Sequence, residues 1–352
     1  ESTGSSAYAR VRSLFANDSC IILDGAVATE IERTHGGGTP GVDQNLWGTW
    51  ALYNDPGAVL DVHRSYVEVG CDVISTNTWA ILGASRRGGL PDGSDLWVDV
   101  ARSGVALARQ AVEESERGDE CAIAFSVNGD VDTEERLSAL RLLVRGLEEE
   151  PPDLLLLETM SLIRDGLTFE AVEVALETGL PVWLSFRRCR HGVCGVYGQH
   201  WGGPEGDEFG RVTKSLEELG IDALLLNCLP VDHLEGMIPW LRDFTDLPLG
   251  VYPNLGYGSA DGWRFDDRVG PTEYSRLALD WRGEGAQIIG GCCGTSPAHL
   301  EAARDVLDGT KPGRPRSRVA TELSPDQGQC PSAPIEPWRD ALGRSIFPLS
   351  FP

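Results

Sequence analysis

The sequence predicts an α/β fold, a (β/α)8 TIM barrel, on three observations. Eight short apolar, β-branched runs recur along the 352 residues. Stretches with apolar residues at helical spacing separate them, and a polar or ionisable residue stands at the C-terminal end of nearly every run. Such alternation signals parallel strands joined by crossover helices, and eight units close a barrel rather than extend an open sheet. The length suits one large barrel.

The runs are "CIILDGA" at 20–26, "DVISTNT" at 72–78, "CAIAFSV" at 121–127, "DLLLLET" at 153–159, "PVWLSF" at 181–186, "DALLLNC" at 222–228, "LPLGVYPN" at 247–254 and "AQIIGGCC" at 286–293. They are apolar nearly throughout because a barrel strand is covered on both faces. Between them, 56–70, 95–115 and 207–220 read as amphipathic helices. The barrel is expected to occupy residues 1–310. Residues 311–352 turn Pro-, Ser- and Arg-rich and read as an extension that wraps the barrel or reaches a partner subunit, so a homo-oligomer is one expectation.

Thirty Lys and Arg against 54 Asp and Glu give a net charge of −24. That balance repels phosphate backbones and argues against nucleic acid, leaving small molecules as the expected partners. No apolar run approaches the length of a membrane span. Nine cysteines, an odd count, and an N-terminal "ESTGSSAYAR" without an apolar targeting core point away from a disulfide-stapled secreted domain and toward a reducing cytoplasm. Residue 1 is Glu rather than Met, so a native start upstream is expected.

The chemistry concentrates at the strand ends, which in this fold form one rim. Cys228 closes the sixth run, and the adjacent pair Cys292 and Cys293 closes the eighth, one strand away. A lone free cysteine is commonly a small buried hydrophobe, the assignment kept for Cys20, Cys71 and Cys121. Three thiols at neighbouring rim positions, two consecutive and framed by Gly290, Gly291 and Gly294, suit zinc instead. Zn–S bonds of about 2.3 Å match the set, and three protein ligands leave one position open for catalysis. A second group, Cys189, His191 and Cys194 in "CRHGVC", is incomplete as a metal site, and no HExxH pairing is present.

At these residues the chain resembles the zinc-dependent homocysteine S-methyltransferases, which include betaine- and S-methylmethionine-dependent enzymes and the homocysteine module of cobalamin-dependent methionine synthase. "LDGAVATEI" (23–31), "LLLLET" (154–159), "LLLNC" (224–228), "VYPN" (251–254) and "IIGGCCGTSPAHL" (288–300) carry the likeness. It implies Zn2+ on Cys228, Cys292 and Cys293, with the homocysteine sulfur in the open position and methionine as product. It further implies that Glu158 meets the substrate ammonium, that Asp24 and Gly25 offer backbone N–H groups to its carboxylate, and that Thr76 and Asn77 add side-chain bonds. Asp24 followed by Gly is equally an ordinary turn, and Asn77 equally a loop brace.

Trp47, Trp50 and Trp79 are candidates for an aromatic wall against a cationic methyl donor, with Asn254 as a further donor-side residue. The chain departs from the family pattern at Leu255, Gly256 and Tyr257, and at Asn128 and Asp130. Thr159 and Ala80 stand where betaine-using members carry tyrosines, which favours a sulfonium donor, S-methylmethionine or S-adenosylmethionine. A betaine or corrinoid-protein donor, another thiol or selenol acceptor, and a non-catalytic zinc protein are the alternatives.

Overall fold

A computed structural model of the chain describes residues 5–35, 46–86, 96–115, 117–161, 166–189, 192–194, 200–202, 206–259, 262–265 and 268–313. The eight apolar runs form eight parallel strands: β1 (Ile21–Ile22), β2 (Val73–Ser75), β3 (Ala122–Asn128), β4 (Leu154–Met160), β5 (Val182–Phe186), β6 (Ala223–Pro230), β7 (Leu249–Asn254) and β8 (Ile288–Ile289). Each pairs with its sequence neighbour, and β8 pairs with β1. A parallel bridge between Leu23 and Val73 joins β1 to β2 and completes the ring. β1, β2 and β8 are shorter than their apolar runs. At β8 the pairing ends before Gly290, where a Cβ would stand 2.7 Å from that of Leu23, so the backbones there cross too closely for side chains.

Strand alternation divides the apolar side chains into two cores. Ile21, Leu23, Val73, Ala122, Ala124, Leu154, Leu156, Trp183, Ala223, Leu225 and Ile288 fill the barrel. Ile22, Ile74, Ile123, Phe125, Leu155, Val182, Leu184, Leu224 and Val251 face outward into the helical layer. The helices form where their caps direct. Asp55 accepts from Ala58 N ahead of Pro56–Glu68, Thr133 caps Glu134–Gly146, and Ser296 with His299 makes a capping box for Pro297–Leu307. Among the described residues no helix is long and apolar enough to cross a membrane.

The sequence reading missed the helix Ser6–Ala16, capped by the Ser5 hydroxyl on Tyr8 N. Its Ala7, Tyr8 and Val11 join the inner core, and Trp183 Nε1 donates to the Tyr8 hydroxyl at 2.9 Å. The helix therefore plugs one end of the barrel, and the site must open at the other.

His63 is buried in the helical layer, and neither ring nitrogen has a hydrogen-bond partner. Burial lowers its pKa to about 4. Because the unfolded imidazole protonates near 6.5, this residue's contribution is constant above that pH and is lost progressively as pH falls toward 4. His63→Leu should flatten the acid limb, gaining roughly 2 kcal/mol over the parent at pH 5 from the 1.5-unit gap. Urea unfolding at pH 7.5 and pH 5 checks it; an equal acid loss in both proteins would exclude His63 as the cause.

Candidate active site

Counting two residues along each strand from the inner core gives the site's first layer. Ser75 follows Val73, Ser126 follows Ala124, Glu158 follows Leu156, Ser185 follows Trp183, Asn227 follows Leu225 and Tyr252 follows Gly250. All six lie at C-terminal strand ends, so the barrel interior changes from hydrocarbon to hydrogen-bonding groups at one level. The Ser126 hydroxyl donates to Glu158, and Ser75 donates to the Asp24 carboxylate through N at 2.8 Å and Oγ at 2.9 Å. Burial raises the Glu158 carboxyl to about 7, opposed by the Ser126 hydrogen bond and reinforced by Cys228.

The thiols are placed by backbone devices. Cys228 adopts φ 57°, a left-handed conformation rare for a residue with a Cβ, and Thr159 on β4 does the same at φ 61°. Such residues cost about 1–3 kcal/mol each and persist where surrounding structure enforces them. Cys292 and Cys293 lie beyond β8 in a turn tied on every side. Gly291 N donates to Asp24 O at 3.0 Å, Cys292 N to Pro253 O at 2.8 Å, Leu255 N to Cys293 O at 2.8 Å and Gly294 N to Thr29 Oγ1 at 2.9 Å. Gly294 has φ 85°, and a Cβ there would fall 1.8 Å from Leu255 O. Only glycine lets the chain leave Cys293 in this direction.

The three thiols lie close enough to shift one another's titration. Hydrogen bonds from Cys292 and Cys293 hold the Cys228 thiol well below its usual range, helped by the Arg187 charge and by Asn254 Nδ2, 3.6 Å from Cys228 Sγ. Hydrogen bonding to Cys228, with burial, raises Cys292 and Cys293 correspondingly. Cys228 and Cys292 are 6% and 8% exposed, while Cys293 is more open. Among the described residues no three His, Cys, Asp or Glu side chains form a ready-made metal cage. The soft donor set of three thiols suits a thiophilic cation chemically.

Other predicted site residues are committed elsewhere. Asp24 N donates to Val73 O at 3.0 Å, closing the barrel, so it is not available to a substrate carboxylate; Gly25 is packed against the Tyr66 hydroxyl. The Thr76 hydroxyl accepts from Ser126 N at 3.1 Å and bonds Thr78 Oγ1 at 2.5 Å, stitching β2 to β3. Asn77 Nδ2 donates to Gly48 O at 2.9 Å and braces the first two rim loops. These bonds engage Asp24 N–H and the Thr76 hydroxyl within the barrel itself.

Trp50 stacks on Tyr53 at 5.5 Å between ring centroids and packs on the outer core. Trp47 is half-buried at φ 44°. Trp79 is half-buried too, and its Nε1 is enclosed without a partner. Asn254 is buried, with Nδ2 toward Cys228 and Oδ1 unpartnered. Cys189 is buried, Cys194 lies on the short strand Gly192–Cys194, and His191 is outside the described residues. Sequence reasoning overlooked Tyr252, which strict period two from Gly250 reveals. It also overlooked Arg187, buried after β5 with Nε donating to Ser161 Oγ at 2.5 Å.

Residues 21–307 match the family model described as homocysteine S-methyltransferase. The chain is 28% identical to Homocysteine S-methyltransferase 1 of Brassica oleracea var. italica, covering 82% of this chain and 93% of that protein. It is 29% identical to Homocysteine S-methyltransferase 1 of Arabidopsis thaliana over the same shares of each. The metallated form of the homocysteine methyltransferase MmuM from Escherichia coli superposes with a TM-score of 0.61 at 24% identity, over 84% of this chain and 99% of that one, which shows a common fold. The match to the family model spans most of the barrel and includes all three rim cysteines, and the chain belongs to the homocysteine S-methyltransferase family.

Proposed function

We propose that this enzyme transfers a methyl group from a sulfonium donor, S-methylmethionine or S-adenosylmethionine, to the sulfur of homocysteine in the cytoplasm, with zinc held by Cys228, Cys292 and Cys293. The observation that carries the proposal is the gathering of Cys228, Cys292 and Cys293 at the mouth that also holds Glu158. When bound, zinc supplies a Lewis-acid centre that keeps an acceptor thiol deprotonated at neutral pH.

The remaining roles belong to the chain's own residues. The Glu158 carboxylate, steadied by Ser126, takes the acceptor's ammonium; a desolvated carboxylate gains most from such a cation. Gly25 stands in the first loop, where the acceptor's carboxylate would lie. Trp79 and Trp47 flank the donor side and offer ring faces to a methyl-bearing cation. Holding acceptor and donor in line supplies the rate advantage of a reaction within one complex.

A donor-by-acceptor assay with measured zinc content tests the reading. Expected are about one zinc per chain, turnover with homocysteine and a sulfonium donor, and little with betaine. A protein that turns over normally after complete zinc removal would refute it. One relative, 28% identical over 80% of this chain, is a Selenocysteine Se-methyltransferase. That supports a second reading in which the acceptor is a selenol, shown by a higher kcat/KM for selenocysteine than for homocysteine.

A further inference from the structure

Alternation along β6 turns Asn227 toward the barrel interior and should turn Cys228 outward, into the helical layer. Cys228 instead packs with Tyr252 and Cys292 in the inner core. The left-handed φ of 57° is what reverses it, and φ 61° at Thr159 breaks the alternation in the same way directly after Glu158. The two reversals lie on β4 and β6, the strands on either side of β5.

Ser185 on β5 is fully buried between them. A hydroxyl has one proton and two lone pairs, and all three are used. Ser185 Oγ donates to Asn227 Oδ1 at 3.0 Å, accepts Thr159 N–H at 3.1 Å and accepts the Tyr252 hydroxyl. Asn227 Nδ2 closes the circuit on Thr159 Oγ1 at 2.8 Å. Every bond ends on one of the reversed residues, on the neighbour that precedes Cys228, or on the tyrosine beside Glu158.

We infer that Ser185 is a positioning residue that, through Thr159 and Asn227, fixes Glu158 and Cys228 in one relation and so sets acceptor recognition. The inference rests on the reading of Glu158 as the ammonium ligand and Cys228 as a metal ligand. Removing the hydroxyl releases the reversed backbone at Thr159 and the side chain of Asn227 beside Cys228 at once, so the loss should appear in acceptor binding rather than evenly across both substrates.

The test measures KM for homocysteine and for the donor, kcat, Tm and the thiolate-to-metal absorption band of the cobalt-substituted enzyme in the parent, S185A, S185T and E158Q. S185A should raise the homocysteine KM at least tenfold and weaken the cobalt band while the donor KM stays within twofold. S185T, which keeps the hydroxyl, should recover most of the loss. A lower Tm with unchanged homocysteine KM and cobalt spectrum would make Ser185 merely structural and overturn the inference. Should S185A fail to fold, T159G serves, because glycine accepts φ 61° and only the Asn227 bond is lost. The homocysteine KM should then rise while Tm holds or increases, and an unchanged KM overturns the inference. E158Q with unchanged homocysteine KM removes the underlying reading and the inference with it, whereas a raised KM in E158Q beside an unaffected S185A removes the inference alone.

Discussion

Cys292→Ala is expected to purify with less than a tenth of the parent's zinc and to turn over at least about a thousandfold more slowly, since a catalytic zinc needs all three protein ligands to leave one usable position. Cys292 is buried and its N–H is tied to Pro253 O, so loss of the sulfur leaves the turn in place and removes the donor atom. The two remaining thiols lose a hydrogen-bonding partner, and Cys228 loses the leading cause of its lowered pKa. Cys121→Ala is the control. Cys121 is equally buried, but it lies where β3 begins, at the opposite end of the barrel, and burial holds its thiol protonated. It should keep zinc and kcat while losing roughly 1 kcal/mol of stability as a small core side chain. Metal analysis with steady-state rates on the two variants decides; equal zinc in both would sink the ligand assignment.

The architecture could be read from the residues because a barrel strand must be apolar on both faces and its crossover helix on one, and both patterns survive in a single sequence. The thiol trio could be read for a related reason: no packing demand places two cysteines between glycines at a strand end. What could not be read depends on contacts between distant segments. Asp24 followed by Gly looks like an ordinary turn until β2 arrives to take its N–H and Ser75 bonds its carboxylate. Trp50 looks like a rim aromatic until Tyr53 stacks on it. The plugging helix Ser6–Ala16 has weak amphipathic character, and the Trp183 indole that bonds the Tyr8 hydroxyl lies far away in sequence. Positive φ at Thr159 and Cys228 left no signal, since neither residue type favours that conformation.

Glu158→Gln is expected to weaken methionine binding about a hundredfold and to make the protein more stable. Methionine carries the ammonium without an ionisable thiol, so its affinity isolates the carboxylate from acceptor-sulfur chemistry. Burial raises Glu158 to about 7. Only the ionised form attracts an ammonium, so affinity should be flat above pH 7 and fall about tenfold per unit below it; glutamine should abolish that slope. Truncating one partner of a buried charge pair costs about 2–5 kcal/mol, which spans the hundredfold. Stability runs the other way. A carboxyl whose folded pKa exceeds its unfolded value stabilises fully below about 4.5, and the contribution is lost as pH rises through 7. The cost at pH 8 is up to about 3 kcal/mol, reduced by water reaching the part-exposed side chain at the mouth. Glutamine escapes it, so E158Q should unfold at higher urea than the parent at pH 8 and at similar urea at pH 4. The opposite signs on binding and stability mark a carboxylate kept desolvated for a cationic ligand, and a variant that loses both together would show Glu158 to be a structural brace.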